Sequence, residues 1–513
     1  MDKNFYITTP IYYPSAKPHM GHAYSSIVAD FFARFKRIDG FNVHFLTGTD
    51  EHGLKIQRAA EKRNADPLVF CDEISQTFRD LSKTLNLSNT DFIRTTEDRH
   101  KKTVQYLWSV LEKNDNIYLS KYSGWYSISD EAFYNEDEIT DKNGTKIATT
   151  SGSPVEWIEE ESYFFRLSKW QDKLLDYFEK NPDFISPKSR KNEVVSFVKS
   201  GLKDLSISRK AFSWGIKVPN NHDHVIYVWL DALTNYISAL DYPDTDNILF
   251  KKFWPASIHL IGKDILRFHA VYWPAFLMAA KIPLPKKIYG HGWIMSGEEK
   301  MSKSKGNILD PLEIIETYGL DPLRYYLIKE VSFGNDGSIS ENRLVDCINS
   351  DLANNYGNLC QRVTAFAEKN CGLVIPKIKD FNDDDLLMLN KFTDNLTTIR
   401  KEIDNQNINF YINFIVSALF EANKYFNDQE PWKKKEDKER LNTIVYTSLE
   451  MIRKISFLLY PIIPDSINKS LKIFNLSSGE INIESIGSHN YLQAGDKINK
   501  IEILFKKFEK IND

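Results

Sequence analysis

The stretch Thr8-Thr9-Pro10-Ile11-Tyr12-Tyr13, followed by Pro18-His19-Met20-Gly21-His22, decides the fold of this chain of 513 residues. Residues 5–8 have the apolar character of a buried strand, and proline and serine mark a turn after it. From His22 onward, apolar residues recur at helical spacing. The pattern therefore predicts a strand, a loop and a helix at the front of an α/β domain.

The start of this helix predicts a phosphate-binding site. A helix N-terminus carries free N–H groups and the positive end of the helix dipole. Gly21 lets the backbone approach a ligand, and the imidazoles of His19 and His22 can both donate to phosphate oxygens. The same spacing also fits two ordinary histidines or half of a metal site, so on its own it leaves these alternatives open.

A second stretch, at residues 297–307, combines three lysines with two serines and two glycines. This composition is usual for a solvated basic loop. Together, however, the two stretches resemble the signatures of class I aminoacyl-tRNA synthetases, His-x-Gly-His and Lys-Met-Ser-Lys-Ser, in the expected order. The resemblance implies an enzyme that uses ATP with Mg²⁺.

The composition is typical of a globular protein with roughly three or four domains. The net charge of −4 gives no overall basicity, although a local basic surface is enough to bind RNA. The four cysteines show no Cys-x-x-Cys pair, which favours a reducing compartment. The first strand is predicted from about Asn4, which leaves no room for a targeting segment. We therefore expect a cytoplasmic protein.

Short strands and turns are predicted between residues 116 and 168, with Asp141-Lys142-Asn143-Gly144 as a hairpin signal. Residues 124–134 resemble the connective insertion of methionyl-tRNA synthetases, many of which carry zinc-binding cysteines there. Ser127 and Asp130 stand where the first cysteine pair would fall, and no cysteine follows until Cys347. Structural zinc sites are usually built on thiolates, so we predict a zinc-free knuckle.

Four motifs, the first of them within the opening stretch, extend the resemblance to the methionyl-tRNA synthetase family over almost the whole chain. The insertion also looks too small for the editing domain that the leucine, isoleucine and valine enzymes usually carry. The motifs are Thr9-Pro10-Ile11-Tyr12-Tyr13, Thr49-Asp50-Glu51-His52-Gly53, Val228-Trp229-Leu230-Asp231-Ala232 and Ile261-Gly262-Lys263-Asp264. The implied reaction forms methionyl-adenylate and pyrophosphate from methionine and ATP, and then transfers methionine to the 3′-terminal adenosine of tRNA(Met).

The resemblance implies a Rossmann-like parallel sheet, split by the insertion and followed by an all-α anticodon-binding bundle. We expect the two halves of the catalytic domain at residues 1–113 and 224–296, the insertion at 114–223, the lysine-loop region at 297–346 and the helical domain at 347–513. An apolar stripe near the C-terminus predicts a last helix that packs on the catalytic domain, its members being Ile498, Ile501, Leu504, Phe505, Phe508 and Ile511.

The resemblance also implies site residues. Catalytic roles fall on His19, His22, Lys300 and Lys303. ATP binding falls on His19, Gly21, His22, Lys263, Asp264, His291, Lys300, Met301, Ser302 and Lys303. Methionine binding falls on Ile11, Tyr13, Asp50, Trp229, Ala232, Tyr236, Ile265 and His269. By residue type alone, Asp50 fits equally well as a cap for a helix starting near Leu54, and the aromatic residues fit a core.

In the helical domain, Asn354, Asn358 and Arg362 recur at steps of four, and Trp432 follows Pro431. The resemblance implies that these side chains bind the anticodon, by amide hydrogen bonds and base stacking. A polar stripe is more commonly solvated surface, and Trp432 also fits a hydrophobic staple at a helix start. Both alternatives stay open here.

The implied partners are methionine, ATP and tRNA(Met), both initiator and elongator, with a monomer as the expected state. One competing hypothesis is another adenylyl-transferring α/β enzyme, because the His-x-Gly-His signature also occurs in small nucleotidyltransferases. A second is an inactive, synthetase-like RNA-binding protein. The lysine loop and the helical C-terminal part count against the first, and the intact signatures count against the second.

Overall fold

The computed structural model describes residues 3–15, 17–130, 132–142, 144–296, 299–300 and 310–510. The chain forms two compact units. One contains residues 4–18 and 43–291, and we call it the sheet unit. The other contains residues 1–3, 19–42 and 292–513, and we call it the helical unit. Of the helices in the described part of the chain, none has both the length and the apolar content that a membrane span requires.

A six-stranded sheet forms the centre of the sheet unit. Its strands lie in the order Asp91–Arg94, Asn42–Thr49, Asn4–Tyr12, Ile258–Gly262, Ile288–His291 and Ile185–Ser186. Parallel pairing joins Ile7 to Ile258 and His259 to Ile288. The helices of the unit are Leu54–Glu61, Pro67–Thr84, Asp98–Lys113, Gln171–Lys180, Lys188–Lys199, Val228–Leu233, Asn235–Ser238, Ile248–Phe253 and Trp273–Ala279. This arrangement confirms the predicted parallel sheet.

The strand order reverses beside the first strand. The chain runs outward from Asn4–Tyr12 to one edge, and then returns to place Ile258–Gly262 on the other side of it. In doubly wound sheets, ligands bind in the crevice outside the carboxyl ends of the strands at such a reversal. The topology therefore directs attention to the residues that follow Tyr12 and Gly262.

The insertion adds small antiparallel sheets to the same unit. Ile117–Ser127 pairs with Glu156–Phe165 over ten registered positions, from Ile117↔Phe165 to Tyr126↔Glu156, and Ala132–Tyr134 and Leu205–Ser206 complete that sheet. A three-stranded sheet contains Ser208–Arg209, Asn221–Ile226 and Lys217–Val218. Pairing of Ile139–Lys142 with Thr145–Ala148 confirms the predicted hairpin.

The predicted knuckle is held together by a carboxylate. Asp130 accepts hydrogen bonds from the hydroxyls of Tyr134 at 2.8 Å, Ser151 at 2.5 Å and Ser153 at 2.7 Å. Its own backbone N–H donates to the hydroxyl of Ser127 at 3.2 Å. Asp130 therefore links the turn after Ser127 to the segment that follows the hairpin.

The helical unit confirms the predicted helical C-terminal part. It contains the helices Met20–Ile38, Pro311–Tyr318, Leu320–Glu330, Glu341–Cys347, Asn358–Cys371, Asp383–Asp404, Ile408–Asp428, Lys438–Leu459 and Pro464–Ser470, with the π-helix Ile348–Gly357. A small sheet joins Glu299–Lys300, Ile294–Ser296 and Gly337–Ile339. The predicted linear domain boundaries stay a prediction.

A buried ionic cluster connects the first helix of this unit to the later ones. Asp30 and Arg324 are both fully buried, and the guanidinium donates to Asp30 at 2.6 Å and to the carbonyl oxygens of Pro461 and Ile462. Arg34 donates to the same carboxylate at 2.7 Å. One carboxylate and two carbonyl groups thus accept from two cations away from water, as buried charges require.

The predicted C-terminal helix is wrong. Residues 498–510 are described without helical structure, and Lys497 instead forms a β-bridge with Val374. The segment bonds to neighbouring elements through Asn349, which both accepts from and donates to the backbone of Phe508. Apolar spacing alone misled the prediction, because this chain buries Ile498 and Phe505 in an extended form whose backbone finds partners outside the segment.

Replacement of Asp130 by alanine is expected to loosen the knuckle, because three hydroxyl donors lose their charged acceptor. Hydrogen bonds to charged groups contribute about 1.5–3 kcal/mol each, so we expect the local opening free energy to fall by about 2 kcal/mol. Amide hydrogen exchange of the hairpin at residues 139–148 measures this quantity. Asp137→Ala, which removes an exposed carboxylate from the same segment, is the control and should leave exchange unchanged.

Candidate active site

Four neighbouring strands of the sheet end at the same edge, at Thr49, Tyr12, Gly262 and His291. Gly262 pairs with His291 at the ends of their strands, and the N–H of Asp50 donates to the carbonyl of Tyr12 at 2.9 Å. Asp50 directly follows the strand Asn42–Thr49. The loops after these strands therefore open on one edge of the sheet, at the reversal of strand order.

Tyr236 is the centre of the predicted methionine-binding residues. Its ring is 1% exposed, and its hydroxyl lies 2.7 Å from Nε2 of His269. The other ring nitrogen of His269 lies 3.0 Å from the carbonyl oxygen of Ile265. Since a carbonyl only accepts, Nδ1 carries the proton, and Nε2 accepts from the hydroxyl of Tyr236.

This hydrogen-bonded pair is uncharged at neutral pH. Burial lowers the pKa of His269 to about 4, because a charged imidazole loses its hydration inside the protein. Burial also raises the pKa of Tyr236. The pocket wall formed by Tyr236 and His269 is therefore aromatic and neutral, which suits an apolar, polarisable ligand group such as a thioether.

Further predicted residues belong to the same region of the hydrophobic core or pack against it. Ile11, Tyr13, Trp229 and Ile265 are partly buried against the hydrophobic core that contains Tyr236, and Ala232 is 4% exposed. The indole of Trp229 stacks on Phe268, and the centroids of the two rings are 3.7 Å apart. The indole centroid lies 6.3 Å from the ring centroid of His269. Its N–H is buried, and no described residue accepts from it.

Asp50 does not cap the helix that follows it. The helix Leu54–Glu61 has Gly53 as its N-cap, so the capping alternative is wrong. Asp50 is 4% exposed, and its charge contributes to the raised pKa of Tyr236. The neighbouring Glu51 accepts hydrogen bonds from Thr49, Arg94 and Thr96, and the role of Asp50 at an ammonium group stays a prediction.

Behind the pocket lies an arrangement to which the sequence analysis assigned no role. Asp231 is fully buried and accepts from His52 at 2.6 Å and from His100 at 2.7 Å. Burial alone would raise the pKa of Asp231, but the charge of His52 and the hydrogen bonds from His100 and His52 hold it below its ordinary value. The only sequence signal was an aspartate within an apolar helical stretch, and His100 gave none.

In the helical unit, His19 and His22 close the start of the helix Met20–Ile38. His19 is the N-cap, and its Nδ1 accepts from the N–H of Gly21 at 3.1 Å. Nδ1 of His22 accepts from the N–H of His19, also at 3.1 Å. With Nδ1 an acceptor on both rings, each neutral imidazole carries its proton on Nε2. Each ring therefore has its N–H donor at Nε2, and the role of these donors at phosphate oxygens stays a prediction.

The geometry also explains Gly21 differently from the sequence prediction. A Cβ atom at this position would lie 2.9 Å from Cε1 and 3.1 Å from Nδ1 of His19. The missing side chain therefore makes room for the capping ring of His19. Close approach of a ligand to the backbone, the predicted reason, stays a prediction.

Other predicted nucleotide residues lie at strand ends of the sheet unit. Lys263 and Asp264 follow Gly262, and a Cβ on Gly262 would lie 2.6 Å from Oδ1 of Asp264. Asp264 is exposed and His291 is buried. Met301, Ser302, Lys303 and the side chain of Lys300 lie outside the described residues.

Two of the predicted anticodon residues share one aromatic neighbour. Arg362 lies over the ring of Phe426 at 5.4 Å and donates to the side-chain oxygen of Asn427 at 2.5 Å, while the ring of Trp432 lies 6.3 Å from that of Phe426. Trp432 is 42% exposed, in a short turn that ends before the helix Lys438–Leu459. It is thus accessible for stacking and too far from that helix start to act as its staple.

The remaining two, Asn354 and Asn358, do not lie on one regular α-helix. Asn354 is exposed within the π-helix Ile348–Gly357, and Asn358 is partly buried at the start of the α-helix that follows. The predicted step of four therefore crosses a change of helix type.

A parallel sheet with its strand reversal beside the first strand, a histidine-capped helix and a helical C-terminal part define the fold of a class I aminoacyl-tRNA synthetase. The family model of class I tRNA synthetases (M) matches residues 5–364, and the model of the anticodon-binding domain of methionyl tRNA ligase matches residues 375–513. The chain therefore belongs to the methionyl-tRNA ligase family.

Individual relatives match along nearly the whole chain. The methionine–tRNA ligase of Rickettsia felis is 50% identical over 516 residues, covering 99% of each chain. That of Brucella melitensis is 51% identical over 472 residues, covering 92% of each. The solved Mycobacterium tuberculosis methionyl-tRNA synthetase in complex with methionyl-adenylate superposes with a TM-score of 0.95 at 45% identity, covering 98% of this chain and 99% of that one.

Within the described ranges, no group of three or more histidine, cysteine, aspartate or glutamate side chains is arranged to hold a metal ion. The zinc-free knuckle stays a prediction, and so does the use of Mg²⁺ with ATP.

Gly21→Ala is expected to lower the rate of adenylate formation by about a hundredfold, because the new methyl group displaces the ring of His19 and misplaced catalytic groups cost about this factor. The same change should leave stability equal or higher, since alanine favours a helix over glycine by about 1 kcal/mol. Pyrophosphate exchange and chemical unfolding measure the two effects. Full activity in the variant would contradict the proposed reason for the glycine.

Asp231→Asn is expected to raise the KM for methionine and to lower the stability of the sheet unit, since an amide offers one acceptor oxygen to two histidines. Breaking a buried ion pair costs about 3–5 kcal/mol. The exposed Asp223→Asn is the control and should change neither quantity. Lower stability with an unchanged KM for methionine would limit Asp231 to a structural role.

Proposed function

We propose that this chain attaches methionine to tRNA(Met) in two steps. In the first, a carboxylate oxygen of methionine attacks the α-phosphorus of ATP, and the bond from that phosphorus to the bridging oxygen of pyrophosphate breaks. In the second, a hydroxyl of the 3′-terminal adenosine attacks the carbonyl carbon of methionyl-adenylate, and AMP leaves. The observation that carries the proposal is the neutral Tyr236–His269 pocket with Asp50 beside it.

The pocket residues account for amino-acid recognition in this proposal. Asp50 holds the α-ammonium group, and the thioether lies among the apolar and aromatic side chains of Ile11, Tyr13, Trp229, Ala232, Tyr236, Ile265 and His269. A charged imidazole would oppose an apolar side chain, so the low pKa of His269 favours methionine. The methionyl-adenylate in the related Mycobacterium tuberculosis enzyme supports the same product here.

The remaining residues bind the negatively charged phosphate groups or neutralise their charge. The Nε2–H groups of His19 and His22 donate to phosphate oxygens, Lys300 and Lys303 neutralise the departing pyrophosphate, and Lys263, Asp264 and His291 line the nucleotide site. Preorganised donors of this kind stabilise developing charge without a covalent intermediate on the protein.

Mg²⁺ would supply further neutralisation of the phosphates. It takes one or two carboxylates together with phosphate oxygens and water, and the exposed carboxylate of Asp264 would be its protein ligand.

For tRNA, we propose that Trp432 stacks on an anticodon base and that Asn354, Asn358 and Arg362 form hydrogen bonds to unstacked bases. The exposed ring of Trp432 near Phe426 and Arg362 supports this assignment. We further propose that initiator and elongator tRNAs are both substrates, and that the enzyme acts as a monomer in the cytoplasm.

The test is ATP–pyrophosphate exchange with each standard amino acid and no tRNA. We expect methionine alone to stimulate exchange strongly, and Lys303→Ala to reduce the rate by about a hundredfold, as loss of one preorganised donor does. Lys102→Ala, on an exposed helix position of the sheet unit, is the matched control. Stimulation by another amino acid would refute the assignment of the pocket to methionine. Absence of exchange with every amino acid would refute the proposal that the chain is an enzyme.

A further inference from the structure

Two buried polar side chains lie next to Tyr236, and the proposed function gives neither of them a role. They are Thr8 and His259, which are register partners on neighbouring parallel strands and are both fully buried. Oγ1 of Thr8 lies 2.8 Å from Nδ1 of His259. The ring of His259 stacks on that of Tyr236, with centroids 4.1 Å apart and an angle of 29° between the planes. Both side chains therefore support the aromatic ring of the pocket wall.

The other nitrogen of His259 indicates which ring nitrogen carries the proton. Nε2 of this ring is buried, and no described residue forms a hydrogen bond with it. Burial holds the pKa of His259 well below its ordinary value, so the ring is neutral and carries one proton. Buried backbone donors without a partner are rarer than buried acceptors without one. The same preference places the proton of His259 on Nδ1, from which it is donated to Thr8.

The hydroxyl of Thr8 can then donate its own proton to Tyr236. Burial raises the pKa of Tyr236, and hydrogen bonds from the side chains of Asn235 and Thr8 act in the opposite direction. A hydrogen bond lowers the pKa of a phenol when it is donated to the phenol oxygen, because it stabilises the charged form. Thr8 therefore accepts from His259 and donates to Tyr236.

The same direction continues through the pocket wall. The hydroxyl of Tyr236 donates to Nε2 of His269, and Nδ1 of His269 donates to the carbonyl oxygen of Ile265. His259, Thr8, Tyr236 and His269 thus form what we call the donor row, in which each group donates to the next. The donor row ends at a carbonyl oxygen, which can only accept, so its direction is fixed at that end.

The donor row opposes a proton on Nε2 of His269. Such a proton would point at the hydroxyl of Tyr236, whose oxygen would have to accept it. That oxygen already accepts from Thr8 and Asn235, so a third donor would face a donor or displace one of them. Away from water, a displaced donor has no replacement partner and its loss is costly.

We propose that Thr8 and His259 are positioning residues for methionine binding. Through the donor row, they direct the hydroxyl of Tyr236 toward His269 and keep Nε2 of His269 an acceptor without a proton. This inference rests on the proposed function, in which the thioether lies against the neutral pair of Tyr236 and His269. It assigns the neutrality of the pair to the direction of its hydrogen bonds as well as to burial.

Other titratable groups also act on this pair. Burial lowers the pKa of His269, but the carboxylate of Asp264 favours the protonated form. Burial raises the pKa of Tyr236, and Tyr12 and Asp50 raise it further. Since a carboxylate favours a charged imidazole, the donor row and burial act together against Asp264.

Neutron diffraction from crystals of the full chain, exchanged into deuterium oxide near neutral pH, tests the direction of the donor row without a substitution. We expect deuterium on Nδ1 of both His259 and His269, and none on Nε2 of either ring. Deuterium on Nε2 of His259 or of His269 would overturn the inference.

Thr8→Val tests the consequence for methionine, because it removes the hydroxyl and nearly keeps the shape. In pyrophosphate exchange, we expect the KM for methionine to rise by about tenfold, as loss of one hydrogen bond does, with the KM for ATP unchanged. The rise should be larger at acid pH, since His269 then takes up a proton more readily. Thr8→Ser keeps the hydroxyl and should retain the parent KM.

Thr103→Val is the matched control. It also removes a buried hydroxyl from the sheet unit, but this hydroxyl bonds to the carbonyl oxygens of Arg99 and Tyr242. An unchanged KM for methionine in Thr8→Val, or an equal rise in Thr103→Val, would overturn the inference. If Thr8→Val does not fold, the neutron positions still decide. Absence of exchange in the parent chain would instead refute the proposed function and leave the neutron result unaffected.

Discussion

Asp231 is fully buried and accepts hydrogen bonds from His52 and His100, which lie 179 and 131 positions away in the sequence. Such a carboxylate is costly to bury unless both oxygens are satisfied. The two histidines therefore fix the helix Val228–Leu233 against segments that precede the insertion. Trp229 and Ala232 lie in the same helix, so the shape of the proposed methionine pocket depends on this contact.

Charge is distributed unevenly over the catalytic residues. The side chains of Tyr236 and His269 are both neutral, since burial removes the proton that His269 would otherwise take up near pH 6. The cationic and N–H donor groups that we propose for phosphate come from strand ends, from the start of a helix and from the stretch at residues 297–307. In the proposed function, neutral side chains select the amino-acid side chain and charged groups bind phosphate, so the two substrates do not compete for one kind of environment.

The motifs at His19–His22, Thr49–Gly53 and Gly262–Asp264 were visible in the sequence because their residue types are tied to chemistry. The partners of Asp231 were not, since a histidine such as His100 on an amphipathic helix gives no signal until the fold brings it to its acceptor. Asp130 was noticed only as a missing cysteine, and its three hydroxyl donors come from residues up to 23 positions away. The prediction of a C-terminal helix was wrong because an extended segment can bury apolar side chains of the same stripe.

The π-helix Ile348–Gly357 directly precedes the α-helix that carries Asn358 and Arg362. A π-helix holds about one extra residue in each turn, so loss of a single codon in this stretch can be absorbed by tightening one turn to an α-helix. The helix Asn358–Cys371 would then keep its orientation, and Arg362 would stay beside Phe426 and Asn427. Loss of one residue between Asn358 and Arg362 has no such turn to absorb it, and would rotate the residues that follow by about 100°, the angle that one residue spans in an α-helix. Among relatives, a one-residue length difference should therefore occur more readily in the π-helix than in the α-helix that carries the proposed anticodon surface.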